Sequence, residues 1–391
     1  LLRMAEESES IVLANAEDVE DTAKAAMDYL CQALPAADMP LGMRHAPHAI
    51  DRDPGIKTLF IVLDGLSDWP HPALDGQTPL AAANIPYMRM LAHTGGLGQV
   101  ATTPAGVNPS TDVGLWSLLG VGEQPPGAGR GVLEAAGLGI ALNVSAVLFR
   151  GNLATVGEAD RVIDRRAGRI KWGMGELLAD LREIELQGGI KGSCYPGHEH
   201  RLVVELRGPR LSVAVSDTDP GEGRQDPRFL EAHPTEDTPE AARTAAALRE
   251  FLDIARTHMQ NHPLNVEREA RGLLPANCII TRGAASTWDL PTHTYSQDRT
   301  AVLAACSTTL GLGRILGMSG VTAAEMTGTL DTDLDAKFAT VASLLDDRLF
   351  IVLHIKGTDI AGHDRQPLTK RDFIDRIDAA LGRFLETRPD L

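Results

Sequence analysis

Cysteine is scarce in this 391-residue chain: there are four, Cys31, Cys194, Cys278 and Cys306, far apart and with no C-x-x-C pair. That spacing excludes a zinc knuckle and a thiol redox motif, and the length excludes a disulfide-stapled miniprotein, so reduced structural thiols are expected. No apolar run approaches the roughly eighteen residues of a membrane span, and the N-terminal LLRMAEESES lacks the basic and apolar regions of a signal peptide. Positive charge is short as well, since 37 Lys and Arg against 53 Asp and Glu give a formal net charge of −16. Non-specific attraction to nucleic acid or anionic lipid is therefore not expected, and the chain reads as cytoplasmic with no nucleic-acid or membrane partner. A small anionic substrate would need its own arginine pocket inside this acidic shell.

What is present is globular: 43% hydrophobic and 23% charged residues, in a length that predicts two or three domains. Residues 17–34 carry Val19, Ala23, Met27, Leu30 and Cys31 on one helical stripe, and Pro35, Pro40, Pro47 and Pro54 follow, so 1–55 reads as a helix on a linker. KTLFIVLDG at 57–65, NCIITRG at 277–283 and RLFIVLHIK at 348–356 are short apolar runs rich in branched residues, expected as strands buried on both faces of a parallel sheet. RLVVELRG and RLSVAVSD, joined around Pro209, are expected as an antiparallel hairpin. Thr238 followed by Pro239 predicts a helix start ahead of the stripe Leu248, Leu252, Ala255 and Met259. The expected fold is α/β, a sheet between helices made by 56–124 and 276–391, with an inserted α+β domain over 125–275.

Ligands of such sheets lie beyond the carboxyl ends of the strands, where polar residues cluster here. Asp64 ends the first apolar run; a buried carboxylate needs a cation, an arginine or a helix N-terminus beside it. In HIKGTDIAGHD, Asp359 and His363 lie four apart, one helical turn, with His354, Lys356 and Asp364 nearby. Carboxylate plus imidazole suits a borderline divalent cation. In NPSTDVGLWSLLG, Ser110, Thr111 and Asp112 precede a helical segment, where one of them either caps the helix or offers a hydroxyl as phosphoryl acceptor. Arg130, Arg150, Arg165, Arg166, Arg169, Arg201 and Arg282 supply forks for phosphate or carboxylate, or form surface ion pairs. GLGRILG at 311–317 is off register for a dinucleotide fingerprint, and the HEH of 198–200 reads as a hairpin or inter-domain contact.

In order along 57–378, LFIVLDGLSDWP, GQTPLAAANIPYM, PSTDVGLWSLLG, GRGVLEAAGLGI, FRGNLATV, VIDRRAGRI, HRLVVEL, VSDTDP, NCIITRG, TGTLDTDLDAK and HIKGTDIAGHD resemble the cofactor-independent phosphoglycerate mutases of the archaeal type, in the alkaline phosphatase superfamily. The resemblance implies an alkaline-phosphatase-like core and transfer of the phosphate of 3-phosphoglycerate to an enzyme hydroxyl and back to the 2-hydroxyl. It implies two divalent metal ions (Mn, Zn or Mg), with Asp64 and Thr111 on one and Asp359 and His363 on the other. Thr111 is then the residue transiently phosphorylated, and Lys356 with Arg130, Arg150, Asp164, Arg165, Arg169 and Arg282 receives the substrate, over which the inserted domain closes. The family's Gly-Ser-Asp reads Ser110-Thr111-Asp112 here, which keeps Ser110 as a rival nucleophile. The family's further Asp-His pair and later His would fall beyond Leu391, so the C-terminus is expected to be incomplete. A phosphatase, a homoserine-kinase-like phosphotransferase and a catalytically silent member are the alternatives, and a homo-oligomer is left open.

Overall fold

The computed structural model describes residues 57–98, 100–103, 110–121, 129–221, 227–287, 290 and 294–388. The expected helix at 17–34 lies outside them. The strands are β1 (Thr58–Leu63), β2 (Ala146–Val156), β3 (Val162–Asp164), β4 (Ile184–Leu186), β5 (Ile190–Pro196), β6 (Arg201–Arg207), β7 (Cys278–Ser286), β8 (Thr300–Leu303), β9 (Ser319–Val321) and β10 (Phe350–Ile355). The helices are α1 (Pro79–Ala82), α2 (Pro86–Thr94), α3 (Thr111–Leu118), α4 (Arg130–Gly137), α5 (Met174–Leu177), α6 (Pro239–Gln260), α7 (Pro263–Ala270), α8 (Ser307–Ile315), α9 (Leu334–Asp347), α10 (Gly357–His363) and α11 (Pro367–Thr387). The chain divides into two compact units, Pro125–Thr292 and the sequence on either side of it.

The flanking unit holds a parallel sheet in the order β1-β10-β8-β9. β10 is buried along its whole length, as a continuous run of branched residues requires. β1 lies at the edge of the described sheet and is only half-buried, a departure from the two-sided burial its sequence suggests. α9 and α11 cover the sheet, packing Phe338, Val341, Leu345, Phe373, Ile377 and Leu381 against Ile351, Leu353 and Ile355. At the first turn of α2, where Ile85 gives no side-chain cap, the buried Asp378 of α11 accepts the backbone N–H groups of Tyr87 and Met88 at 3.1 and 2.8 Å. A carboxylate at a helix N-terminus satisfies orphan donors and the helix dipole together.

The Pro125–Thr292 unit holds a second, largely antiparallel sheet in the order β3-β2-β6-β5-β4, with β7 also on β2. This corrects two expectations. NCIITRG belongs to β7 in this sheet and not to the parallel one, so the unit runs past residue 275 to Thr292. An apolar run reports burial on both faces and is blind to which sheet supplies the neighbours. RLSVAVSD is no strand: β6 pairs with β5 before it and with β2, and 211–217 makes only an isolated bridge at Val215. Two faces result from the period of two in β2. Val147, Phe149 and Leu153 point into a core closed by Leu248, Phe251, Leu252, Ala255 and Met259 of α6, whose N-terminus Thr238 caps through the N–H of Ala241. The opposite face of β2 carries Arg150 and Asn152.

Gly65, directly after β1, has φ +61°, and a Cβ there would lie 2.7 Å from Asp359 Cα. The left-handed backbone and the close approach both demand glycine. Gly65→Ala is expected to destabilise the protein by about 1–3 kcal/mol in denaturant unfolding and to push Asp359 away from Asp64.

Candidate active site

In the flanking unit, the carboxyl ends of β1 and β10 bring Asp64 and Lys356 together through their parallel register, which also pairs Val62 with His354. Asp64 Oδ2 accepts the Thr111 hydroxyl at 2.9 Å and the Lys356 ammonium at 2.7 Å, and lies 3.3 Å from Nε2 of the fully buried His354. Lys356 Nζ also reaches Asp359 Oδ2 at 2.8 Å and Thr111 Oγ1 at 3.3 Å. The Thr358 hydroxyl donates to the Asp64 carbonyl, pinning the loop. Thr111 opens α3, so its hydroxyl faces the positive end of that helix. Ser110 donates instead to Asp112 Oδ1 at 2.6 Å and is turned into the helix start. His363 stays 78% exposed with Nε2 3.5 Å from Asp359 Oδ1.

Burial alone would raise the Asp64 pKa, yet the His354 contact and the Lys356 charge outweigh it and hold the carboxyl well below the usual range. Burial likewise works against the Lys356 charge, and the two carboxylates overcome it and push the ammonium pKa up. Asp64 is therefore anionic and Lys356 cationic throughout the physiological range, which suits Lys356 to charge stabilisation and not to proton abstraction.

The donor types here, two carboxylates, a hydroxyl and imidazoles, fit a divalent cation of the Mn, Zn or Mg kind, and the position between the carboxylates already accommodates positive charge at Lys356 Nζ. Among the described residues no three His, Cys, Asp or Glu side chains converge as a metal cage. Asp64 with Thr111 and Asp359 with His363 would each be part of a shell.

The Pro125–Thr292 unit concentrates the arginines. In the ladder Arg150 faces Arg282 across β7, while Asn152 faces Arg201 across β6, which puts all four on one face of the sheet. Arg150 Nε lies 3.8 Å from the fully buried Glu134 of α4. Burial, with Arg201, Arg282 and Arg130 close by, lowers the Arg150 guanidinium to about 10 despite Glu134. Arg282 is lowered by burial and by Arg130. Cations crowded in this way are stabilised by an arriving anion.

The other predicted residues take more specific places. Arg165 is forked onto Asp219, Nε–Oδ1 2.7 Å and Nη2–Oδ2 2.6 Å. Asp164 Oδ1 accepts the Arg166 N–H at 2.6 Å and so braces the DRRAGRI turn, in which Ala167, Gly168 and Arg169 all have positive φ. For Ala167 and Arg169 this left-handed backbone is strained, and the Asp164 contact helps to hold it. Sequence reasoning gave no role to Glu134, Asp219 or Asn152. For Asn152 the signal was its place two residues after Arg150 in a strand, and for Asp219 its place in VSDTDP. The HEH of 198–200 is the β5–β6 turn, a hairpin contact, with His200 buried at 7% exposure. Burial, and then Arg201, Arg166, Arg150 and Arg169, drive the His200 imidazole down to about 3.

No described helix is long and apolar enough to cross a membrane. The two sheets, one parallel with acidic and hydroxyl groups at its strand ends and one antiparallel with an arginine face, make this a mixed α/β protein. A sequence profile for 2,3-bisphosphoglycerate-independent phosphoglycerate mutase matches residues 92–265. The mutase of that name from Methanoculleus marisnigri is 39% identical over 338 residues, covering 86% of this chain and 82% of the relative, and mutase 1 from Archaeoglobus fulgidus is 39% identical over 335 residues, covering 84% and 80%. Among solved structures, a protein from Pyrococcus horikoshii superposes with a TM-score of 0.68 at 29% identity, covering 85% of this chain and 78% of that one. The cofactor-independent phosphoglycerate mutase from Thermoplasma acidophilum gives 0.54 at 29% identity, covering 86% and 84%. The chain belongs to the 2,3-bisphosphoglycerate-independent phosphoglycerate mutase family, a family of isomerases.

Two outcomes are expected. Lys356→Met leaves Asp64 and Asp359 without their shared cation and costs about 3 kcal/mol in chemical denaturation. The Asp64 carboxyl then titrates nearer its usual range, so acid unfolding, followed by circular dichroism, moves to higher pH. For His200, the unfolded chain binds a proton below about 6.5 that the folded chain refuses down to about 3. Stability therefore falls as pH drops through that interval, by up to about 1.4 kcal/mol per pH unit, and His200→Asn removes that part of the slope.

Proposed function

We propose that this chain interconverts 3-phosphoglycerate and 2-phosphoglycerate through a phosphorylated Thr111. The observation that carries the reading is the Thr111 hydroxyl at a helix N-terminus, bonded to Asp64 Oδ2 and 3.3 Å from the Lys356 ammonium. Thr111 Oγ attacks phosphorus, the bond from phosphorus to the glycerate oxygen breaks, and the hydroxyl proton ends on the departing oxygen. The glycerate then presents its other hydroxyl, whose oxygen takes the phosphoryl group back, while its proton returns to Thr111. Lys356 stabilises the alkoxide and the equatorial oxygens electrostatically. Two divalent cations, one held by Asp64 and Thr111 and the other by Asp359 and His363, supply charge neutralisation and acidify the hydroxyl when bound. By the family resemblance, Arg130, Arg150, Arg169 and Arg282 take phosphate and carboxylate, with Arg165 braced on Asp219 and Asp164 bracing the turn.

A phosphorus NMR time course with 3-phosphoglycerate and Mn²⁺ tests this. The expected result is 2-phosphoglycerate from the wild type and a rate at least about 10³-fold lower from Thr111→Ala. Isomerisation that survives Thr111→Ala and is lost in Ser110→Ala reassigns the nucleophile. Inorganic phosphate without the 2-isomer makes the chain a phosphatase.

A further inference from the structure

Among the described residues, the arginine face of the Pro125–Thr292 unit carries four buried polar atoms with no hydrogen-bond partner: Arg150 Nε, Arg282 Nε, His200 Nδ1 and Asn152 Oδ1. They are neighbours in the ladder. Arg150 and Arg282 are paired, Asn152 follows two residues on, and the backbone carbonyl of His200 accepts the N–H of Leu153 at 2.7 Å. A buried unpaired polar atom is costly, so a ligand that completes such atoms gains binding energy from each. The two guanidinium nitrogens are donors and match phosphate or carboxylate oxygens. The Asn152 oxygen is different, because it is an acceptor and Asn152 is only 6% exposed. An anionic oxygen is repelled by it. Of a ligand's groups, a hydroxyl or an N–H satisfies it and an anionic oxygen does not.

We infer that Asn152 is a specificity-determining residue: its amide oxygen accepts a hydrogen bond from the free hydroxyl of the phosphorylated hydroxy acid, while the arginines take the anionic groups. The inference rests on the reading of this face as the substrate site and adds what that reading lacks, a contact that requires the hydroxyl. A site built around a ligand hydroxyl rejects the analogue without it, since the buried acceptor is then left bare.

Isothermal calorimetry on the full chain with Mn²⁺ tests this with three probes: 3-phosphoglycerate, 3-phosphonooxypropanoate (the same molecule without its 2-hydroxyl) and inorganic phosphate. The wild type is expected to prefer 3-phosphoglycerate over the deoxy analogue by about 10- to 100-fold. Asn152→Leu, nearly isosteric, is expected to lose that preference by weakening 3-phosphoglycerate about 10- to 100-fold, with the analogue and phosphate changed by less than about threefold. Retained phosphate binding shows that the variant is folded with its arginines in place. Equal weakening of all three probes makes Asn152 a scaffold for the arginines and overturns the inference, as does an Asn152→Leu protein that still discriminates. If the wild type isomerises 3-phosphoglycerate in either case, the proposed function stands and the inference alone falls. A wild type that binds neither organic phosphate sinks both.

Discussion

One carboxylate oxygen, Oδ2 of Asp64, receives a hydroxyl and an ammonium and lies within 3.3 Å of an imidazole nitrogen, all at the end of a hydrophobic strand. A lone charge there would be expelled or neutralised by protonation; surrounded in this way it stays ionised. Much else follows from keeping this node intact. The parallel register of β1 and β10 delivers Lys356, glycine at position 65 lets the Asp359 segment approach, and α3 begins at the residue whose hydroxyl completes the group.

The arginine-rich unit solves the opposite problem. Its sheet is amphipathic across β2, with one face in a dry core under α6 and the other bearing guanidinium groups whose mutual repulsion is only partly offset by Glu134 and Asp219. The repulsion is tolerable because the scaffold is over-determined by the core on the other face. A face so arranged is selective before any ligand arrives, since like charge keeps cations away and the acceptor on Asn152 distinguishes among anions.

Much of this was readable from residues. The ends of β1 and β10 were identified by apolar runs stopping at Asp64 and Lys356, and α6 by Thr238, Pro239 and the stripe behind them; these signals are local and period-based. What failed was partnership. Cys278–Ser286 and Phe350–Ile355 look alike as strings, yet one lies in an antiparallel ladder and the other in a parallel sheet. RLSVAVSD alternates as a strand should and forms none, because β5 and β2 already occupy both edges of β6. The short β8 and β9 left no legible run, and the Arg165–Asp219 fork joins residues 54 apart in a way that spacing does not reveal.

The Asp64–Lys356 contact spans 292 residues of sequence. During synthesis, the whole of Pro125–Thr292, with its own core, leaves the ribosome while β1 still lacks its neighbour. β1 therefore lacks its neighbour until Phe350–Ile355 has been made, so the Asp64–Lys356 pair can form only after the whole of Pro125–Thr292 has been synthesised. That interval leaves the unpaired β1 edge open to mispairing until its neighbour arrives.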